Sequence, residues 1–285
     1  RGEVLLSGLL GCVDCDRRYP VVDEVGIFFT RGAAEHYLNA AEQERLVALG
    51  LGEALGRPAT LDEGETRQLE VARNWEYQWT DVCPLDPGAL DRDDLFGARA
   101  FWEFIPIAPE AMRGKTVFIG CGGNGREVYH VSKAAPPRII VKEIGREIHV
   151  IRHLVPDSGE RLMLLRGDLT TLPLKPGVCD VALCDHALQH VLDHRRAFAG
   201  MAELVRAGGL VSVCVYSHEN NSIMTHLVEP SKRLLRHFSA RTLRAVAFLP
   251  AVVVHLLGRG LYAPLCSRYA WAKRRLPLAS HMLLW

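Results

Sequence analysis

Six residues, Gly120-Cys121-Gly122-Gly123-Asn124-Gly125, spell a GxGxxG between an apolar run and a helical stretch. Glycines there let the backbone turn sharply and approach a ligand with no Cβ in the way. The helix that follows offers amide groups that no intrahelical carbonyl uses. Glu143 closes the next apolar run, 18 residues beyond Gly125. A carboxylate at that point can accept both hydroxyl protons of a ribose lying across strand ends. Each feature alone has a plainer reading, a ligand-free turn and a helix-capping acid. Together they outline a nucleoside site. Cys12 and Cys15 form a CxxC, but a structural zinc needs a second pair or added His ligands, and the sequence offers none at suitable spacing. No metal site is expected, and the eight cysteines read as reduced, mostly structural thiols.

The elements that must position these groups follow from the rhythm of the chain. Strands are expected at 116–120, 138–143, 162–166, 179–184 and 209–216, and helices near 125–134, 146–154 and 194–206. Short β-type runs alternating with helical stretches predict a parallel sheet with right-handed crossovers. The runs lack strict in-out alternation, as strands covered on both faces do. The fold class expected is α/β: a Rossmann-like, doubly wound, mostly parallel sheet with helices on both faces, a small N-terminal β knob and a C-terminal helical lid.

The order of motifs carries a resemblance. GxGxxG, an acidic residue, Gly167-Asp168 with Leu172-Pro173-Leu174, the Asp180-Val181 strand, Leu188-Gln189-His190-Val191 and Leu204-Val205-Arg206-Ala207-Gly208-Gly209 follow one another. Over about residues 115–216 this resembles the class I S-adenosylmethionine-dependent methyltransferase family, especially its ubiquinone-biosynthesis-like branch. The resemblance implies that Gly120, Cys121 and Gly122, with Gly125 completing the motif, line the methionine end of S-adenosylmethionine. It implies that Glu143 holds the ribose, that Asp168 and Leu169 frame the adenine, and that Asp185 and His186 face the sulfonium. Phe118 stands where the family usually has an acid, and Gly123 where it commonly has Thr. The stretch Leu10 to Cys15 with Tyr19 to Asp23 resembles the second half of a zinc-ribbon-like element fused to some methyltransferases, without its first cysteine pair. Glu76-Tyr77-Gln78-Trp79 resembles an aromatic element that covers the cofactor mouth in such fusions.

Methyl transfer is an in-line displacement, so the protein's tasks are to align the acceptor and exclude water. If the acceptor must lose a proton early, the candidate bases are His186, His218 and Glu219. The divisions expected are a β-rich remnant at 1–32, a helical and aromatic-rich cap at 33–113, the methyltransferase core at 114–217 and a basic, apolar lid or acceptor-binding region at 218–285. After Glu229 there is no acid and there are ten basic residues, so the last fifth carries about +10 and the rest about −9. The run 245–257 is apolar, and too short and interrupted to span a bilayer. Peripheral membrane contact through 231–275 is one reading of that region, and a packed lid is the other.

The expected partner is a small-molecule acceptor, lipid-like or anionic, with no nucleic acid. The chain opens on Arg1 without a charged-then-apolar leader, and a cytoplasmic setting, with membrane association as an option, is the default. Two other functions stay open: a catalytically inactive methyltransferase-fold binding module and a nicotinamide-dependent oxidoreductase. The second leaves the Leu-Pro-Leu and Gly-Gly motifs unexplained.

Overall fold

A computed structural model describes residues 5–29, 33–55, 60–82, 84–92, 97–217, 219, 224–235 and 237–276. The chain forms two compact units, Arg1–Tyr216 and Ser217–Trp285. The first is built on one sheet of β1 (Gly8–Gly11), β2 (Arg18–Val22), β3 (Val25–Ile27), β4 (Thr116–Gly120), β5 (Arg138–Glu143), β6 (Leu162–Arg166), β7 (Cys179–Asp185) and β8 (Val205–Cys214). Their order is β1-β2-β3-β6-β5-β4-β7-β8. Every pair from β3 to β8 is parallel, and β1-β2-β3 is antiparallel.

Helices cover both faces, and successive residues of one strand show why. Val117 and Ile119 of β4 pack with Val128, Val131, Ile148 and Ile151 from helices Arg126–Lys133 and Ile148–Leu154. Phe118 points the other way, into a cluster with Ala197, Met201 and Leu204 of helix His194–Leu204. A strand buried on both faces needs apolar residues facing both ways, as Val117, Phe118 and Ile119 of β4 and Ile139, Ile140 and Val141 of β5 do.

The N-terminal β segment is not a separate knob. β3 extends the sheet beside β6, pairing Val25 with Leu164 and Ile27 with Arg166, and Phe28 N–H donates to Arg166 O at 2.7 Å. The physical reason is the edge: without β3, β6 would present a row of unpaired backbone groups. Behind the hairpin, Val22, Ile27, Phe29, Leu38, Leu46 and Leu51 make a small core of their own. Arg166 ties this core to the sheet. Its guanidinium is fully buried, pairs with Glu42, and donates to Tyr37 O at 2.8 Å and Ile144 O at 3.3 Å. β8 also begins earlier than the 209 expected, at Val205, with a register shift opposite Cys179–Val181 and Gly208 at φ +78°.

Lys142 of β5 is fully buried and donates to Thr171 O at 2.8 Å; burial pushes its ammonium down to about 7. Because the folded value lies below the ordinary 10.5, the folded state binds fewer protons than the unfolded between about 7 and 10.5. Stability from this group therefore rises with pH across that window and is lost as pH falls through 7. Lys142→Met is expected to raise the urea midpoint most at pH 6 and progressively less toward pH 10; an equal gain at both would contradict the shift.

The second unit is helical: Glu229–Leu235, Ala240–Leu257, a wider turn at Gly258–Tyr262, Ala263–Arg268 and Ala270–Arg275. The run 245–257, expected to be too short to span a bilayer, lies within one helical stretch, Arg241–Arg268, of 28 residues. By length and composition alone that stretch is long and apolar enough to cross a membrane, an 18-residue window within it having a mean hydropathy of 1.6. The wider turn carries the helix past Gly258 and Gly260, where the sequence pointed to an interruption.

Candidate functional site

The strand order reverses around β4, so the carboxyl ends of β4, β5 and β7 border the crevice where open α/β sheets take ligands. Gly120 ends β4. Cys121 (φ +56°), Gly123 (φ +49°) and Gly125 (φ +95°) then reverse the chain within a few residues, and Gly125 opens helix Arg126–Lys133. A Cβ at Gly122 would collide with Val141, and one at Gly125 would lie 2.7 Å from Leu154. Those two glycines are required by the turn's own packing, before any ligand is considered.

Glu143 points at this turn. Its Oε2 accepts Gly123 N–H at 2.7 Å, and Oε1 accepts Ile144 N–H at 2.6 Å and Gly145 N–H at 3.1 Å. Burial pushes this carboxyl up, and the three amides pull against that rise. A carboxylate has about four lone-pair positions, so Oε2 retains one for a hydroxyl donor. Glu143 is thus a clamp joining the two turns as well as an acceptor. Beside it stands Glu147, buried and pushed up to about 9 by burial and then by the charge of Glu143, so it is a neutral acid at pH 7. Trp79 covers the turn, its Nε1 3.6 Å from where a Gly123 Cβ would sit. Glu76 holds that aromatic segment down through Arg146 Nε at 3.0 Å.

Farther along the edge, Asp168 Oδ1 accepts Thr170 N–H at 2.6 Å, and Leu169 is a core residue packed with Phe118, Cys184 and Met201. Phe118, at the position where an acid was expected, is fully buried in that cluster. Cys121 is next to Cys184; that hydrogen bond and burial push its thiol well up. Asp185 ends β7, and His186, at φ +51°, sets its Nδ1 2.7 Å from Asp185 Oδ1. Arg126 reaches Asp185 Oδ2 from the start of its helix at 3.4 Å.

The first unit therefore brings together Gly120, Cys121, Gly122, Gly125, Glu143, Asp168, Asp185 and His186 along one sheet edge, with Leu169 beneath it. Glu219 belongs to the second unit, where Ser217 Oγ donates to it at 2.5 Å and holds its carboxyl below the ordinary range. His218 lies outside the described residues. Three residues at this edge escaped the sequence reading: Arg126, Glu147 and Cys214. Arg126 could have been found as the first residue after the glycine turn; nothing local marks the other two. Tyr129 and Lys133 also stand at the Tyr-x-x-x-Lys spacing of nicotinamide enzymes. The Tyr129 hydroxyl is spent on Asp91 at 2.7 Å, and Lys133 lies 4.6 Å over the Tyr129 ring.

Cys12 and Cys15 lie in the β1–β2 turn, and among the described residues no group of three metal-ligand atoms forms around them.

The family model described as a methyltransferase domain matches residues 117–213. A ubiquinone/menaquinone biosynthesis C-methyltransferase, UbiE, from Syntrophotalea carbinolica is 24% identical over 156 residues, 52% of this chain and 66% of that protein. A demethylmenaquinone methyltransferase from Mycolicibacterium paratuberculosis is 30% identical over 103 residues, 36% of this chain and 44% of that protein. The chain thus spans less than two thirds of the length of either relative. Among solved structures, the complex of the Haloferax volcanii Trm112 methyltransferase activator with a methyltransferase described as putative is similar at TM-score 0.43 and 17% identity, covering 57% of this chain and 65% of that one. Strand order, glycine turn and matched segment coincide: residues 117–213 belong to the methyltransferase domain family, in its class I, S-adenosylmethionine-dependent form.

Proposed function

We propose that this chain transfers a methyl group from S-adenosylmethionine to a small, lipid-like acceptor. The observation that carries the reading is the convergence of Glu143 on the glycine turn at the switch point of the sheet. The residues fit the cofactor. Glu143 Oε2 keeps a lone pair for a ribose hydroxyl, Cys121, Gly123 and Gly125 turn the chain back sharply at the end of β4, and Trp79 stands over the turn. When bound, S-adenosylmethionine supplies an electrophilic methyl group on a sulfonium. The chain's own work is to orient and to exclude water: Trp79 shields the turn, and Asp185 holds the His186 imidazole at the β7 end, where it can accept a proton. Isothermal calorimetry tests the reading: S-adenosylmethionine and S-adenosylhomocysteine are expected to bind and NAD not to. Binding of NAD alone would favour the oxidoreductase, and binding of none the inactive module.

The class of acceptor rests on two supports. The relatives are named for ubiquinone, menaquinone and demethylmenaquinone, so a quinone-type molecule is the acceptor we put forward. The second is the Arg241–Arg268 stretch, whose apolar window is only 6% buried within the structure, with Phe248 70% and Leu249 68% exposed. Arg241, Arg244, His255 and Arg259 fall within about 60° of one another on an ideal helix, which suits a helix lying in an anionic bilayer surface. Co-sedimentation is expected with vesicles containing phosphatidylglycerol and not with phosphatidylcholine alone, weakened by salt and by Arg241→Glu with Arg244→Glu. Absence from both kinds of vesicle would overturn the membrane contact and leave the packed lid.

A further inference from the structure

Three different metal-binding groups meet where β7 and β8 end. The parallel ladder sets Asp185 opposite Cys214, and His186 N–H donates to Cys214 O at 2.8 Å. The left-handed backbone at His186 (φ +51°) folds its imidazole back against both neighbours. Nδ1 lies 2.7 Å from Asp185 Oδ1, Nε2 lies 3.3 Å from Cys214 Sγ, and the Cys214 thiol hydrogen-bonds the Asp185 carboxylate. One ligand atom from each residue lies within 4.8 Å of the other two, and no other group of three does so among the described residues. Carboxylate, imidazole and thiol thus close a triangle.

We propose that Asp185, His186 and Cys214 form a binding site for one zinc ion. Size is the first argument. Three atoms no more than 4.8 Å apart all lie within about 2.8 Å of a common point, and zinc takes nitrogen or oxygen at about 2.0 Å and sulfur at about 2.3 Å. Side-chain moves of under about 1 Å therefore complete the site. The second argument is the count of protons: the thiol has one hydrogen to share between the carboxylate and the ring nitrogen, whereas a cation engages all three atoms at once. Asp185 keeps its other contacts in doing so. Arg126 holds Oδ2 at 3.4 Å, and Oδ1 has two lone pairs, one for a ring N–H and one for the ion. The third is charge. The carboxylate, whose side chain is 2% exposed, and the thiolate formed on binding match the ion's two positive charges, which is how buried charge is made tolerable. The donor set selects the metal: thiolate and imidazole suit zinc, while magnesium and calcium take oxygen ligands. Three protein ligands leave a fourth position for water, and the imidazole, 34% exposed, marks its solvent side. Binding exchanges the thiol proton for the ion and oxidises nothing. With zinc in place the ring nitrogen is spent, so proton acceptance by His186 belongs to the metal-free chain. The site does not depend on an adenosyl cofactor.

The test uses the full chain carrying Cys12→Ser and Cys15→Ser, so that the thiols of the β1–β2 turn do not take the metal, stripped with EDTA and free of S-adenosylmethionine. Zinc, titrated in competition with a chromogenic chelator, is expected to bind at one equivalent, and excess magnesium not to displace it. Cobalt(II) in its place is expected to give a near-ultraviolet thiolate band with the intense visible bands of a four-coordinate ion. Cys214→Ser should abolish the thiolate band. It should also weaken zinc at least about 100-fold, as should His186→Asn, which suits the left-handed backbone. Thermal melts without metal report that the variants fold, and zinc should raise the melting temperature of the parent but not of Cys214→Ser. Failure of the parent to bind one equivalent of zinc would overturn the proposal. So would equal zinc affinity or a persisting thiolate band in folded Cys214→Ser. Calorimetric binding of S-adenosylmethionine is read separately, so either reading can fail alone.

Discussion

Arg166→Ala is expected to lower the unfolding free energy by about 3–5 kcal/mol, measured by urea denaturation. The guanidinium is fully buried and, among the described residues, is the only side chain that reaches Glu42, Tyr37 O and Ile144 O together. Removing it leaves two carbonyls without this donor and a largely buried carboxylate with, among the described residues, only His149 at 3.4 Å and Asn39 N–H at 2.8 Å. The gain from the pair itself is small, because two charges had to leave water. The double variant Arg166→Met with Glu42→Leu should therefore recover much of the loss. Hydrogen exchange localises the effect: amides of β2 and β3 should exchange faster in Arg166→Ala while those of β4 and β7 change little. A loss below about 1 kcal/mol would mean that the hairpin is held by its ladder and apolar core alone.

Glu143→Ala is expected to weaken S-adenosylhomocysteine binding by about 1–3 kcal/mol, roughly 5- to 150-fold, in calorimetry. The same change leaves the N–H groups of Gly123, Ile144 and Gly145 without their acceptor, so the melting temperature should fall as well. Trp79→Ala separates the two effects, because Trp79 lies against the turn without accepting those amides. It should weaken binding with little loss of stability. Unchanged affinity in a folded Glu143→Ala protein would remove this carboxylate from the nucleoside site and leave it as a clamp.

Much of the sheet was legible because a strand buried on both faces needs an unbroken apolar run. The bounds of β4, β5 and β6 are those the run lengths predict, while β7 extends one residue further. The glycine turn was legible for the same local reason: left-handed backbone at Gly123 and Gly125 restricts which residues can stand there. The hairpin's union with β6 was not legible. Val25-Gly26-Ile27 looks like any short apolar segment, and its partner lies more than a hundred residues away. The place of Cys214 was equally hidden, since it depends on the register that sets it opposite Asp185.

Sequence by itself determined the parallel α/β core, the position of the glycine turn and the acid that faces it, because backbone sterics and burial act on neighbouring residues and leave their mark in local order. Tertiary structure alone decided that Glu143 spends three of its lone pairs on its own chain, that Arg166 fastens the N-terminal hairpin to the sheet, and that Asp185, His186 and Cys214 meet at the ends of β7 and β8. Those contacts join residues distant in the chain, and their strength comes from low dielectric and fixed geometry, which exist only once the sheet has closed around them.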